Sequence, residues 1–298
     1  MDPKVDIIQA IKDNNIESFR TLLNSIENAG DNSFTLIDIF SNNMQYNQIE
    51  KIPLSGVSIL HAAACYNSLQ CFQYLYKENQ MSLRHLSSQN LLPLHYAIYS
   101  GLKDVALYIL SEDPEESVLH PEENNKLSLL FCAVYSSNLD ILNELFKNGA
   151  KLSDPWNDET RIIDYIIGRF SPDLLSLIWP HHSPLPNDKE SFTYAMKCAL
   201  RHDVKALEII YNKEYDLDKY YIDRSGYNSL ISLIADTDAR HSFKDIYLQI
   251  LDDAKEMTIE PPVEFNEGVC HWCCRYLDLD VAKKMFQTKN IQINRFDK

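Results

Sequence analysis

One pattern recurs along the whole chain and limits what it can fold into. Four segments superpose without gaps: GVSILHAAACYNSLQCFQYLY from Gly56, NLLPLHYAIYSGLKDVALYIL from Asn90, KLSLLFCAVYSSNLDILNELF from Lys126 and GVCHWCCRYLDLDVAKKMF from Gly268. With His61 as reference, the equivalent positions are His95, Phe131, Asp164, Met196, Ile231 and His271, at intervals of 34, 36, 33, 32, 35 and 40 residues. A further copy lies upstream with Ile8 as its reference, 53 residues before His61. A unit this short cannot bury its apolar face alone, so each copy must stack on its neighbours.

Each copy has the same internal order. Two residues past the reference stands a small or apolar side chain: Ala10, Ala63, Ala97, Ala133, Ile166, Cys198, Leu233 and Cys273. Small side chains there let two helices approach closely. Ten, eleven, fourteen and fifteen residues past the reference come apolar positions, as in Val105, Ala106, Ile109 and Leu110, or Ile141, Leu142, Leu145 and Phe146. That spacing is one face of a second helix. A short polar or glycine-containing turn separates the two blocks. The unit is a short helix, a tight turn, a longer antiparallel helix and a loop. The copy at Ile231 is irregular, because ARHSFKD delays its second helix to about residues 243–251. At the start of the chain Ile7, Ile11, Phe19 and Leu22 form an apolar stripe, with Lys4, Asp6, Lys12, Asp13, Asn14, Asn15 and Glu17 around it, as a capping unit requires.

These residues resemble ankyrin repeats. Gly56, Ser58, Leu60, His61 and Ala63 match much of that family's helix-opening motif, as do Pro93, Leu94, His95 and Ala97, and more faintly Gly226, Leu230 and Ile231. Leu145, Phe146, Gly149 and Ala150 match its closing element. The copies are divergent, with Ser58, Ser128, Leu92, Arg161 and Asn228 where the family places threonine. The resemblance implies an all-α ankyrin-repeat solenoid of about eight helix-turn-helix repeats. Residues 1–54 are then a capping repeat with a long linker, followed by repeats at about 55–88, 89–124, 125–157, 158–189, 190–224, 225–264 and 265–298. It makes His61, His95, His271, Phe131 and Asp164 structural anchors, with the histidine rings hydrogen-bonded at the helix starts. It implies a binding module that acts through its concave and loop surfaces, with no catalytic, metal or cofactor residues.

Composition narrows the class of partner. The chain has 28 basic against 43 acidic residues, a net charge of −15, which argues against nucleic acid and anionic membrane surfaces. Its longest apolar stretches fall far short of the ~18 residues needed to span a bilayer. Seven cysteines without a paired framework suit a reducing compartment, and the cytoplasm is expected. Cys270, His271, Cys273 and Cys274 hold ligand types for a metal, but all four fall on core positions of the repeat, where free cysteine packs as a small hydrophobe. No phosphate-binding glycine loop, nucleophile elbow or HExxH occurs.

The expected function is that of a scaffold or adaptor, monomeric, for a protein or peptide. Residues 101–160 hold 12 acidic and 4 basic side chains, a balance of −8. That points to a basic partner, with Glu115, Glu116, Glu122 and Glu123 as contact residues, or to charge that only maintains solubility. Tyr66, Tyr99 and Tyr135 recur four or five residues past the reference and either form a binding stripe or pack between repeats. A second expectation makes the chain the regulatory or targeting segment of a longer protein, continuing past residue 298.

Overall fold

The computed structural model describes residues 3–27, 57–113, 128–152, 159–182, 189–211, 221–223, 226–228 and 244–253, with 279, 280, 283 and 287 as further helical positions. The chain divides into two compact units, residues 1–162 and 163–298.

In the first unit the helices come in antiparallel pairs: α1 (Pro3–Lys12) with α2 (Ile16–Glu27), α3 (Ile59–Cys65) with α4 (Leu69–Lys77), α5 (Pro93–Tyr99) with α6 (Asp104–Glu112), and α7 (Leu129–Tyr135) with α8 (Leu139–Lys147). First helices pack on first helices, α1 on α3, α3 on α5 and α5 on α7; second helices follow suit, α2 on α4, α4 on α6 and α6 on α8. This arrangement explains the two sequence patterns. The helices α3 and α5 are each enclosed by two neighbouring first helices and their own partner, and six consecutive residues are buried in each, as they are in α7, which packs on α5 and α8. A second helix has a solvent side, so α4 buries Cys71, Phe72 and Leu75, α6 buries Val105, Ala106, Ile109 and Leu110, and α8 buries Ile141, Leu142 and Leu145. Seven-residue helices are too short to persist alone, and this burial is what holds them. In the capping pair Ile7, Ile11 and Phe19 are buried as expected, but Leu23 takes the buried place and Leu22 is half-buried, because α2 presents its next residue to α4.

The turns share one backbone conformation. The sixth residue past each of the first six references has positive φ: Asn14 at 48°, Asn67 at 54°, Gly101 at 75°, Ser137 at 56°, Phe170 at 53° and His202 at 58°. The left-handed residue closes the first helix by turning two amides back onto it. Asn67 and Ser68 donate to the carbonyls of Ala64 and Ala63, Ser137 and Asn138 to those of Val134 and Ala133, and His202 and Asp203 to those of Ala199 and Cys198. Gly101 suits this conformation, since a residue without Cβ meets no clash there.

In the second unit α9 (Glu159–Gly168, through which the division passes) pairs in sequence with α10 (Pro172–Ile178), which ends in a 3-10 turn at Trp179–His181. Next come α11 (Lys189–Leu200) and α12 (Val204–Ile210), packed on each other, with α10 also against α12. A hairpin of two three-residue strands, β1 (Tyr221–Asp223) and β2 (Gly226–Asn228), pairs antiparallel with Ile222 opposite Tyr227. It ends at Asn228, where the sequence pattern places the next helix start. The helix α13 (Lys244–Asp253) begins within one residue of the delayed position read from the sequence. The described residues thus form a fold of stacked helix-turn-helix repeats with one small hairpin.

Candidate functional site

At the start of α3 the His61 ring works as a cap. Its Nδ1 accepts from the Ser58 amide at 3.2 Å and lies 2.8 Å from Ser58 Oγ, and its Nε2 lies 3.1 Å from the Leu91 carbonyl oxygen. A carbonyl only accepts, so Nε2 carries the proton and the ring is neutral, joining its own helix start to the next repeat. Burial pushes the His61 pKa down to about 4, against the lift from its bond to Leu91. In α5 the His95 Nδ1 accepts from the Leu92 amide at 3.2 Å. Phe131 has no such group, and there Ser128 Oγ accepts from the Phe131 amide at 2.9 Å. Asp164 lies on α9 and pairs with Lys197 of α11. His271 and the cysteines at 270, 273 and 274 lie outside the described residues, and so do Glu115, Glu116, Glu122 and Glu123.

A second line of bonds runs along the turns. Asn14 Oδ1 accepts from Ser68 Oγ at 2.9 Å and from the Gln70 amide at 3.1 Å. Asn67 Oδ1 accepts from the Val105 amide at 2.9 Å, while its Nδ2 donates to Asp104 at 2.9 Å. Gly101 has no side chain to offer, and the direction reverses: Asn138 Nδ2 donates to the Gly101 carbonyl at 3.1 Å. At these three junctions a turn therefore satisfies an open backbone group of its neighbour. Exposed ion pairs join the repeats as well, Arg20 with Glu78 at 2.8 Å and Lys103 with Asp140 at 2.7 Å, and solvent screening keeps their contribution small.

The exposed candidates fare differently from their grouping in the sequence. Tyr99 and Tyr135 stack face to face, with ring centroids 4.9 Å apart and planes 5° from parallel. Tyr66 stands one residue further along its repeat, after the last turn of α3, with the Lys12 ammonium 5.2 Å from its ring centroid. All three are half-buried. In the acidic stretch Glu112, Asp113, Asp140 and Glu144 are already paired with Lys77, Arg84, Lys103 and Lys147. Two of these pairs border an open hollow of about 610 Å³, lined by Tyr76, Met81 and Leu83 among others.

Nothing in the described residues gathers three His, Cys, Asp or Glu side chains around a metal position. Cys65, Cys71, Cys132 and Cys198 are free thiols; burial pushes Cys65 and Cys198 up to about 12 and raises Cys71 as well. No described helix is long and apolar enough to cross a membrane. The turn column was missed by sequence reasoning. Its members Asn14, Asn67, Gly101, Ser137, Phe170 and His202 share a spacing but no chemistry, and the signal that identifies them is the count of six from the reference.

A family pattern described as ankyrin repeats, in three copies, matches residues 7–120. Among solved structures the chain is similar to the crystal structure of the human ASB11 ankyrin repeat domain, at 12% identity over 78% of this chain and 99% of that one, with a TM-score of 0.50. It is more loosely similar to the predatory endopeptidase Bd0816 of Bdellovibrio bacteriovorus in complex with immunity protein Bd3460, at 18% identity over 66% of this chain and 97% of that one, with a TM-score of 0.38. No curated protein matches it in sequence.

Proposed function

We infer that this chain, an ankyrin-repeat protein over residues 7–120, is a protein–protein interaction module. Ankyrin repeats are in general modules of this kind. The observation that carries the reading is the line of turn bonds from Asn14, Asn67 and Asn138 to the neighbouring repeat. Those bonds hold adjacent repeats in register, so their exposed side chains form a surface already ordered before a partner arrives, which lowers the entropic cost of association. His61 and the buried thiols are engaged in packing and capping, and no step of chemistry is assigned to them.

The partner is a basic protein or peptide, met by the acidic stretch at residues 101–160 together with the concave and loop surfaces. Among the described residues Glu112, Asp113, Asp140 and Glu144 of that stretch are paired within the chain, and Glu115, Glu116, Glu122 and Glu123 are taken as the contact residues. Tyr99 and Tyr135 serve packing between their repeats. The module acts as a monomer in the cytoplasm, a compartment suited to its free thiols.

The test is the association rate of a fluorescent lysine-rich peptide with the full chain across a salt series. The quadruple variant E115K/E116K/E122K/E123K should associate about tenfold more slowly at low salt and lose most of the salt dependence, with its Tm unchanged. Rates in the parent that stay constant from low to high salt would show that the charge serves solubility and not binding.

A further inference from the structure

The turn between α5 and α6 breaks a rule that the other turns keep. Seven residues past the reference the other described copies have a polar residue directly ahead of the second helix: Asn15, Ser68, Asn138, Ser171 and Asp203. Such residues suit the cap of the helix that follows, and Asn15, Asn138 and Asp203 accept from the amides three positions on, those of Ser18, Ile141 and Ala206. In this turn the position holds Leu102, which has no acceptor to offer. The equivalent amide, that of Val105, is held by Asn67 of the preceding turn instead. Leu102 is thus released from capping, and it gains little from the core, being 50% exposed.

A single exposed leucine signifies little on a protein surface, but this one meets a second. The Gly101 carbonyl accepts from Asn138 Nδ2 at 3.1 Å, and Lys103 pairs with Asp140 at 2.7 Å. The residues on either side of Leu102 are therefore joined to the residues on either side of Leu139, which sets the two leucines opposite each other across the junction of adjacent repeats. Leu139 is 38% exposed. The stacked rings of Tyr99 and Tyr135, at the ends of the first helices that lead into these turns, hold the junction together. Its charge is negative. Two carboxylates, Asp104 and Asp140, accompany one ammonium, and Asp140 already holds it. Asp104 is exposed, accepts from the neutral side-chain amide of Asn67 and has no ion pair among the described residues. The stretch to which the junction belongs, residues 101–160, carries −8. A basic occupant is drawn to such a surface and an acidic one repelled.

We propose that the ridge of Leu102 and Leu139, with Asp104 beside it, is the docking site for a basic segment of another protein that carries leucine-like side chains among its lysines or arginines. The apolar side chains pack on the two leucines and remove them from water, while a neighbouring cation meets Asp104. The proposal rests on the reading of a basic partner given above and adds to it the apolar half of the recognition, on the turns.

Two fluorescein-labelled peptides, one of lysines interspersed with leucines and one with serine in place of each leucine, are titrated into the full-length chain across a salt series. The parent should bind the leucine peptide saturably and about fivefold or more tightly than the serine peptide, and both more weakly as salt rises. L102N should remove the preference for leucine without lowering Tm, since asparagine is the residue of the Asn15 and Asn138 turns. D104N should weaken binding of the leucine peptide at low salt and leave its affinity at high salt unchanged. Equal affinity of the parent for the two peptides, or a preference for leucine that survives in L102N, would overturn the proposal and leave the basic-partner reading standing. Salt-independent affinity of the parent for both peptides would overturn that reading, and the proposal with it. Self-association of the parent in sedimentation that L102N removes would overturn the proposal too, because the occupant would then be a second copy of this chain.

Discussion

At Ser58 and Leu92 the amide ahead of the first helical turn is held by a histidine ring, and at His61 that ring also reaches the next repeat. Burying it neutral links stability to pH. The folded pKa is about 4 and the unfolded value 6.5. Above the unfolded value neither state binds a proton and the contribution is whole. As pH falls from 6.5 to 4 the unfolded chain takes up a proton that the folded one refuses, so stability falls, by up to about 1.4 kcal/mol per pH unit and on the order of 3 kcal/mol in all. H61F, which copies the side chain found at Phe131, should lower stability at neutral pH by about 1–3 kcal/mol, since it leaves the Leu91 carbonyl without its donor. It should also remove this acid-sensitive component, and urea unfolding of parent and variant at neutral and mildly acidic pH measures both effects. The thiols give a second residue-level expectation. Cys65, Cys71, Cys132 and Cys198 should stay unmodified by a disulfide reagent near pH 8 in the folded chain, while all seven cysteines react in urea.

Helices and turns differ in how far they were legible. The columns at Ala63, Ala97 and Ala133, and at Ile109 and Leu145, announced the two helices because burial demands one kind of side chain, repeated. The turn column announced nothing, because what it demands is a backbone angle, and residues as unlike as Asn67, Gly101 and Phe170 adopt it. The capping role of His61 came from the resemblance; its bond to the Leu91 carbonyl joins residues 30 apart, a pairing that spacing alone does not reveal. The tyrosines show the same limit. Tyr99 and Tyr135 stand four residues past their references and stack, whereas Tyr66 stands five past and is turned by one helical step, about 100°. At Asn67 the structure separates backbone from side chain. N67A should cost about 2–3 kcal/mol, from the left-handed strain of alanine and the lost bonds to Val105 and Asp104. N67G should recover the strain and keep only the loss of the bonds, and thermal unfolding of the two variants distinguishes these parts.

For the whole molecule the consequence is that each repeat is stable only through its neighbours. Within the first unit that coupling runs through packed first helices, through His61 and through the turn bonds, and the proposed binding surface depends on it. A repeat array without such coupling would present its exposed side chains loosely and bind at a greater entropic cost. The Val105 amide reports the coupling directly, because it donates to the side chain of a residue 38 positions earlier. Native-state hydrogen exchange of N67G at this amide is therefore the decisive measurement. Protection of Val105 should fall about tenfold or more, with the α5–α6 pair loosening alongside it while α10–α12 keep their protection. An unchanged Val105, or a change confined to the substituted turn, would contradict the claim that the turns hold neighbouring repeats in register.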